Sequence, residues 1–226
     1  MTIPIKCEKT ELWLKTVPSI NHSDGKAIRG YLGKLYKNRP EFHHHLGNRF
    51  LYSHPLIQYK VVENQALLAG MQEGAYMLKA ITNIDHLELY NQRYTVTEQS
   101  LKTDIIPFGL CADTILYEFI NPWLGLNQKN YSLYGKMKYQ KKHLDRFLSK
   151  IIVGNILSVC KSLRYVADLP IHVRAELYEV GGIEIKKNVN VLGFKGVFET
   201  NFRLPDYWGI GKSSSRGYGV VLKRKK

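Results

Sequence analysis

Between Thr10 and Thr103 the apolar spacing switches back and forth between the two-residue period of a strand and the 3.6-residue period of a helix, a pattern that few folds admit. A strand is expected over 10–17, holding Leu12, Trp13 and Leu14. Ser23 or Asp24 then caps a helix over 25–37. Ile28, Tyr31, Leu32 and Leu35 fall at i, i+3, i+4 and i+7, which gives that helix one apolar face. Lys26, Arg29, Lys34 and Lys37 make the rest of it basic, and Pro40 stops it. Next come a strand over 56–62, a helix over 70–81 and strands over 87–89 and 93–103. In the last of these Tyr94 and Val96 alternate with Arg93, Thr95 and Thr97, which suits a half-buried strand. The order β-α-β-α-β-β approaches a ferredoxin-like unit.

Pro107-Phe108-Gly109 marks a boundary, so two domains are expected, 1–106 and 107–226. The second opens with a strand over 114–119 that ends before Pro122. One long helix over 138–163 follows, with Leu144, Phe147, Leu148, Ile151, Ile152 and Leu163 as its buried stripe. Gly154 inside it costs about 1 kcal/mol relative to alanine, which points to another backbone packed close by. Strands are then expected over 172–180, 182–186, 189–192, 194–202 and 219–222. The fold class is α+β in both halves, although no repeat is visible residue by residue.

Charge narrows the partners. The 33 Lys and Arg exceed the 19 Asp and Glu to give a net +14, which favours a polyanion. No apolar run is long enough to span a bilayer, and the N-terminus lacks the apolar stretch of a secretory signal. No amphipathic helix pairs a basic face with exposed Trp or Phe, so no membrane partner is expected. Cys7, Cys111 and Cys160 are far apart and odd in number, which argues against a disulfide framework or a structural zinc site. A reducing, cytoplasmic setting is the expectation, with no cofactor and no metal.

Three segments have the composition of a working site. Gly209-Ile210-Gly211-Lys212-Ser213-Ser214-Ser215-Arg216-Gly217-Tyr218-Gly219 combines glycines that let a ligand approach the backbone with Lys212, Arg216 and hydroxyl donors. It is not a nucleotide phosphate loop, because Asp206 stands where that motif needs glycine and the chain runs on into a strand. It reads as a hairpin loop or as a contact to a nucleic-acid backbone. The second segment is His43-His44-His45, with Glu41 and His54 nearby. A surface tract, a metal site and an acid–base pair all fit it; histidine suits the last because its ordinary pKa lies near neutral pH. The third interleaves Lys129, Lys136, Lys138, Lys141 and Lys142 with Tyr131, Tyr134 and Tyr139, which suits phosphates and stacked bases or else a solvated helix face. No dense Asp/Glu cluster of a two-metal nuclease is present.

Together these residues resemble the CRISPR-associated endoribonucleases that process precursor CRISPR RNA. The segment Leu204-Pro205-Asp206-Tyr207-Trp208 leading into Gly209 through Gly219 is similar to that family's C-terminal glycine-rich signature. Ile28-Arg29-Gly30-Tyr31-Leu32-Gly33 resembles its first helix, and Phe42-His43-His44-His45 with Pro55-Leu56-Ile57-Gln58-Tyr59-Lys60 resembles its active-site loop and next strand. Pro122-Trp123-Leu124-Gly125-Leu126-Asn127 and Ile152-Val153-Gly154-Asn155-Ile156-Leu157-Ser158 resemble its second-domain helix region.

The resemblance implies two tandem ferredoxin-like domains, the second with a C-terminal glycine-rich loop, and metal-independent cleavage within each repeat of a precursor transcript. The ends would be a 5′-hydroxyl and a 2′,3′-cyclic phosphate. It also implies that His45 and His43, which flank His44, serve as the acid–base pair. Lys60 would stabilise the charged phosphorane and Tyr31 would orient the phosphate. Arg29, Lys34, Lys37, Lys136, Lys138, Lys141 and Lys142, with Gly209, Gly211, Lys212, Ser213, Arg216, Gly217 and Gly219, would bind the RNA. The partner the resemblance implies is CRISPR repeat RNA, and a CRISPR effector complex and a homodimer are compatible protein partners. A non-catalytic RNA-binding subunit of such a complex is the rival reading, and an unrelated RNA chaperone is a further one.

Overall fold

A computed structural model describes residues 4–36, 45–46, 49–50, 54–81 and 83–225. The chain divides into two compact units, one built from Lys6–Ile106 with Ser215–Gly217, the other mainly from Pro107–Ser214 and Tyr218–Lys226.

The first unit runs β1 (Ile5–Val17), α1 (Gly25–Leu35), the two-residue pair β2 (His45–Leu46) and β3 (Arg49–Phe50), β4 (Ile57–Val62), β5 (Gln65–Met71), α2 (Glu73–Lys79), β6 (His86–Leu89) and the start of β7 (Gln92–Trp123). Its strands lie in the order β4-β5-β1-β7-β6. The run β7-β1-β5-β4 is the ferredoxin-like order, with β6 added at the edge. Along β1, Leu12 and Leu14 face the helices. With Ile28 and Leu32 of α1, Tyr59 and Val61 of β4, Leu68 of β5 and Leu78 of α2 they form one buried cluster.

Strand β5 is absent from the expectation above, which carried a helix over 70–81. Ala66-Leu67-Leu68-Ala69 is buried at every position, so it shows no alternation by which to recognise a strand. The turn Glu63-Asn64, with φ of 49° and 61°, closes the β4–β5 hairpin in the left-handed geometry such turns favour. The helix itself is short, Glu73–Lys79.

The second unit runs from the rest of β7 through α3 (Gln128–Met137), α4 (Lys141–Ser162), β8 (Val173–Lys186), β9 (Val189–Arg203), β10 (Trp208–Gly209) and β11 (Val220–Lys223). Its strand order is β10-β11-β7-β9-β8. Again the ferredoxin-like order is present, as β11-β7-β9-β8, with one departure. Where such a unit places its second helix, between β9 and β11, this chain has β10 and a 3-10 turn at Ser214–Arg216. Aromatic rings fill the core: Phe119 and Phe198 at 5.1 Å, and Phe108 edge-on to Phe202 at 5.1 Å and to Tyr165 at 5.7 Å.

Three further expectations are corrected here. The helix expected over 138–163 is α4, which starts at Lys141, and a separate helix absent from the expectation, α3, precedes it; Asn127 begins α3 by accepting Asn130 N–H at 2.8 Å. The expected strands on either side of Gly181 are one, β8, with a shift of register between Glu179 and Gly181. Gly154 has no close neighbour: a Cβ placed there meets nothing within 4 Å, so helix packing does not account for it.

Candidate nucleic-acid interface

Helix α1 begins at Gly25, and one turn on it carries Arg29. Gly25 is held small by Arg216, whose carbonyl oxygen would lie 2.7 Å from an added Cβ. The short piece Ser215–Gly217 thus rests on the first unit, of which it is part. Gly217 completes the seat. Its φ is +92°, and an added Cβ would meet Lys60 Cα and the Tyr59 carbonyl, both at 3.3 Å. The edge strand β4 therefore takes the loop's backbone at close range.

This seat brings the charge of Arg216 into electrostatic range of Arg29. Arg29 is half-buried, and burial, followed by the charge of Arg216, pulls its pKa below the usual arginine value. Among the described residues neither arginine forms an ion pair with a carboxylate. Nearby, the Tyr59 hydroxyl is buried and meets no hydrogen-bond partner among those residues. Burial drives its pKa up, while the positive charge of Arg29 opposes that rise. Two like charges with no carboxylate counter-ion among the described residues, beside a hydroxyl without a partner there, form an electropositive spot of the kind that suits an anion.

The remaining expected residues fall in several places. Lys34 is exposed on α1. Tyr31 packs towards β6, its ring 6.3 Å from that of His86, and burial followed by Glu88 raises its hydroxyl pKa. Lys60 alternates with Tyr59 and Val61, so it points to the sheet face opposite the helices. There it is fully buried, and its Nζ donates to Gln58 Oε1 at 2.8 Å. Burial, then the charge of Lys9, holds its pKa well below the usual lysine value, with Glu11 acting in the other direction. Tyr31 and Lys60 are thus on opposite faces of one sheet, and Lys60 has no surface through which to meet a phosphate in this state. His43, His44 and Lys37 lie outside the described residues; the backbone of His45 opens β2.

The glycine-rich segment is folded into the protein's own structure more than the sequence implies. Gly209 pairs with Val220 between β10 and β11. An added Cβ on Gly211 would sit 2.7 Å from Trp123 Nε1, and one on Gly219, at φ +64°, would sit 2.0 Å from the Ile210 carbonyl. Lys212 donates its backbone N–H to Leu124 at 2.9 Å and leaves its side chain exposed; Ser213 adopts φ +59°. These close approaches are to protein rather than to a ligand. Lys136, Lys138, Lys141 and Lys142 are all exposed in the second unit. Lys138 pairs with Glu179 at 3.5 Å and Lys141 with Asp145 at 3.3 Å.

Two features had no sequence signal strong enough to predict them. The meeting of Arg29 and Arg216 joins residues far apart in the chain. The buried row His54, Gln58 and Lys60 is linked by a 3.0 Å contact between His54 Nε2 and Gln58 Nε2. Only the alternation of Gln58 and Lys60 around Tyr59 hinted at a shared face.

Comparison with known proteins settles the family. Residues 5–106 match the Cas6b N-terminal domain, and residues 109–224 match the Cas6b C-terminal domain. The chain belongs to the Cas6b family. It superposes on a crystal structure of Cas6b with a TM-score of 0.89 at 34% identity, over 97% of this chain and 100% of that one. A second crystal structure, of a CRISPR RNA processing endoribonuclease Cas6b, gives 0.74 at 30% identity over 97% and 100% of the two chains. An uncharacterized protein of Methanocaldococcus jannaschii is 37% identical over 147 residues, which is 65% of this chain and 98% of that protein. The C-terminal Cas6b match takes in the whole of 209–219, so the segment that seats Arg216 lies within the shared region.

Proposed function

We propose that this chain is an endoribonuclease that cuts CRISPR repeat RNA in a precursor transcript. The observation that carries the reading is the match of both Cas6b domains, in order, along nearly the whole chain. The net charge of +14 and the Arg29–Arg216 pair, which has no carboxylate partner among the described residues, support an RNA substrate.

In the proposed reaction the ribose 2′-oxygen attacks the adjacent phosphorus and the 5′-oxygen leaves in line. One histidine of the His45 and His43 pair takes the 2′ proton, and the other protonates the leaving oxygen. The products are a 2′,3′-cyclic phosphate and a 5′-hydroxyl, and no metal ion is required. Such acid–base help is worth about 10²–10⁴-fold in rate. Arg29 and Arg216 hold a phosphate of the strand and offset the charge that builds on it. Lys60 serves this reading by position, since the β4 backbone at Tyr59 and Lys60 seats Gly217. Tyr31 remains the candidate for orienting the phosphate. An effector complex and a second copy of the chain are proposed as protein partners.

The test is incubation of 5′-labelled repeat RNA with the protein in excess EDTA. One sharp product ending in a cyclic phosphate supports the proposal. Binding of repeat RNA with no cut under any metal condition supports the alternative, an RNA-binding subunit without catalysis.

A further inference from the structure

Helix α4 and strand β8 of the second unit face each other across a trough of about 800 Å³. Its floor is tight. Ser149 and Ala175 are buried there, and Ala175 N–H donates to Ser149 Oγ at 3.0 Å. One wall carries Lys142, Arg146 and Lys150, all exposed. Their four-residue spacing puts them on one helix face, each about 6 Å further along the axis than the last.

The acids of the trough each pair with another cation, although Asp145 Oδ1 is buried and meets no hydrogen-bond partner among the described residues. Asp145 pairs with Lys141 at 3.3 Å, and Glu176 pairs with Arg174 at 3.1 Å. Among the described residues no ion pair holds Lys142, Arg146 or Lys150. A row of three uncompensated cations beside a cleft fits a partner with regularly repeated negative charge.

We propose that this trough is a second RNA track, which holds the sugar–phosphate backbone of a single strand away from the scissile bond. The inference rests on the RNA substrate proposed above. A nucleic-acid strand presents one charge per nucleotide, which matches a row of cations better than an isolated anion or a folded protein surface does. Lysine and arginine on phosphates set position and register without reading sequence. The track therefore adds affinity for any strand that passes through it, whatever its bases.

The test is fluorescence anisotropy with a labelled poly(U) oligonucleotide, titrated between about 50 and 200 mM salt. The triple variant Lys142→Ala, Arg146→Ala, Lys150→Ala is compared with wild type and with a charge-matched control, Lys187→Ala, Lys223→Ala, Lys225→Ala. Alanine suits an exposed helix, and a thermal melt confirms that each variant is folded. Each lost phosphate contact removes about 0.7 from the slope of log affinity against log salt on single strands. The trough variant is expected to lose about 2 from that slope, and the control less than half of this. A trough variant as steep as the control overturns the track and leaves the RNA reading standing, and the surface then belongs to another kind of partner. A wild-type protein that shows no salt-dependent binding to either poly(U) or repeat RNA overturns the RNA reading itself, and the track with it.

Discussion

Arg216→Gln should make the free protein more stable and its RNA complex weaker, and the opposite signs are what make it informative. In the free protein the guanidinium groups of Arg29 and Arg216 repel, and among the described residues no carboxylate pairs with either. Both are part-exposed, so solvent screens the repulsion to the scale of surface pairs, about 0.5 kcal/mol. For a domain-sized chain that is a rise of about 1–2 °C in melting temperature. The backbone seat is untouched, because Gly25 and Gly217 meet the main chain of this segment rather than the arginine side chain. With RNA present, the lost charged donor costs about 1.5–3 kcal/mol, a Kd roughly 10- to 150-fold weaker. Thermal unfolding without RNA and anisotropy with repeat RNA give the two numbers. Arg216→Lys should keep most of the salt dependence but lose the two-pronged geometry that guanidinium offers a phosphate. A variant that melts lower than wild type and binds RNA equally well would refute the anion site at α1.

Other consequences follow from the packing. Gly219→Ala should destabilise by at least about 2 kcal/mol, since its φ is +64° and the new Cβ would overlap the Ile210 carbonyl; urea unfolding measures the loss. Tyr165→Phe should cost about 1–3 kcal/mol in the same assay, because its hydroxyl accepts the buried Leu110 N–H at 2.9 Å and nothing replaces it. Cys160 gives a pH signature: burial pushes its thiol up to about 12, against an ordinary 9.0. Above pH 9 the unfolded chain therefore loses a proton that the native chain keeps, so stability falls as pH rises towards 12, and Cys160→Ala should flatten that alkaline fall.

The sequence makes most of the scaffold legible through alternation and capping. Strand β1, helix α1 and the hairpin of β8 and β9 each present one buried and one wet face, so their periods are clear. Strand β5 does not, because Ala66 to Ala69 are buried on both sides and the period vanishes. Helix α4 is legible through its buried apolar stripe, whereas α3 buries Tyr134 alone and so offers no periodic stripe by which to recognise it. Arg29 and Arg216 stood out individually as basic residues near glycines. Their meeting depends on Gly25 and Gly217 letting two backbones close up, a tertiary fact that no local pattern encodes. Lys60 shows the reverse: a cation in a strand looks available for chemistry until the sheet buries it completely.

The most direct test of cleavage through the ribose is a repeat RNA carrying a single 2′-deoxy nucleotide, moved one position at a time through the substrate. Binding and cutting are read on the same samples in EDTA. The account predicts that every RNA binds alike and that one deoxy position alone abolishes the cut, which locates the attacking hydroxyl. Cleavage that survives every deoxy substitution, or that appears only when a divalent metal is added, would contradict it.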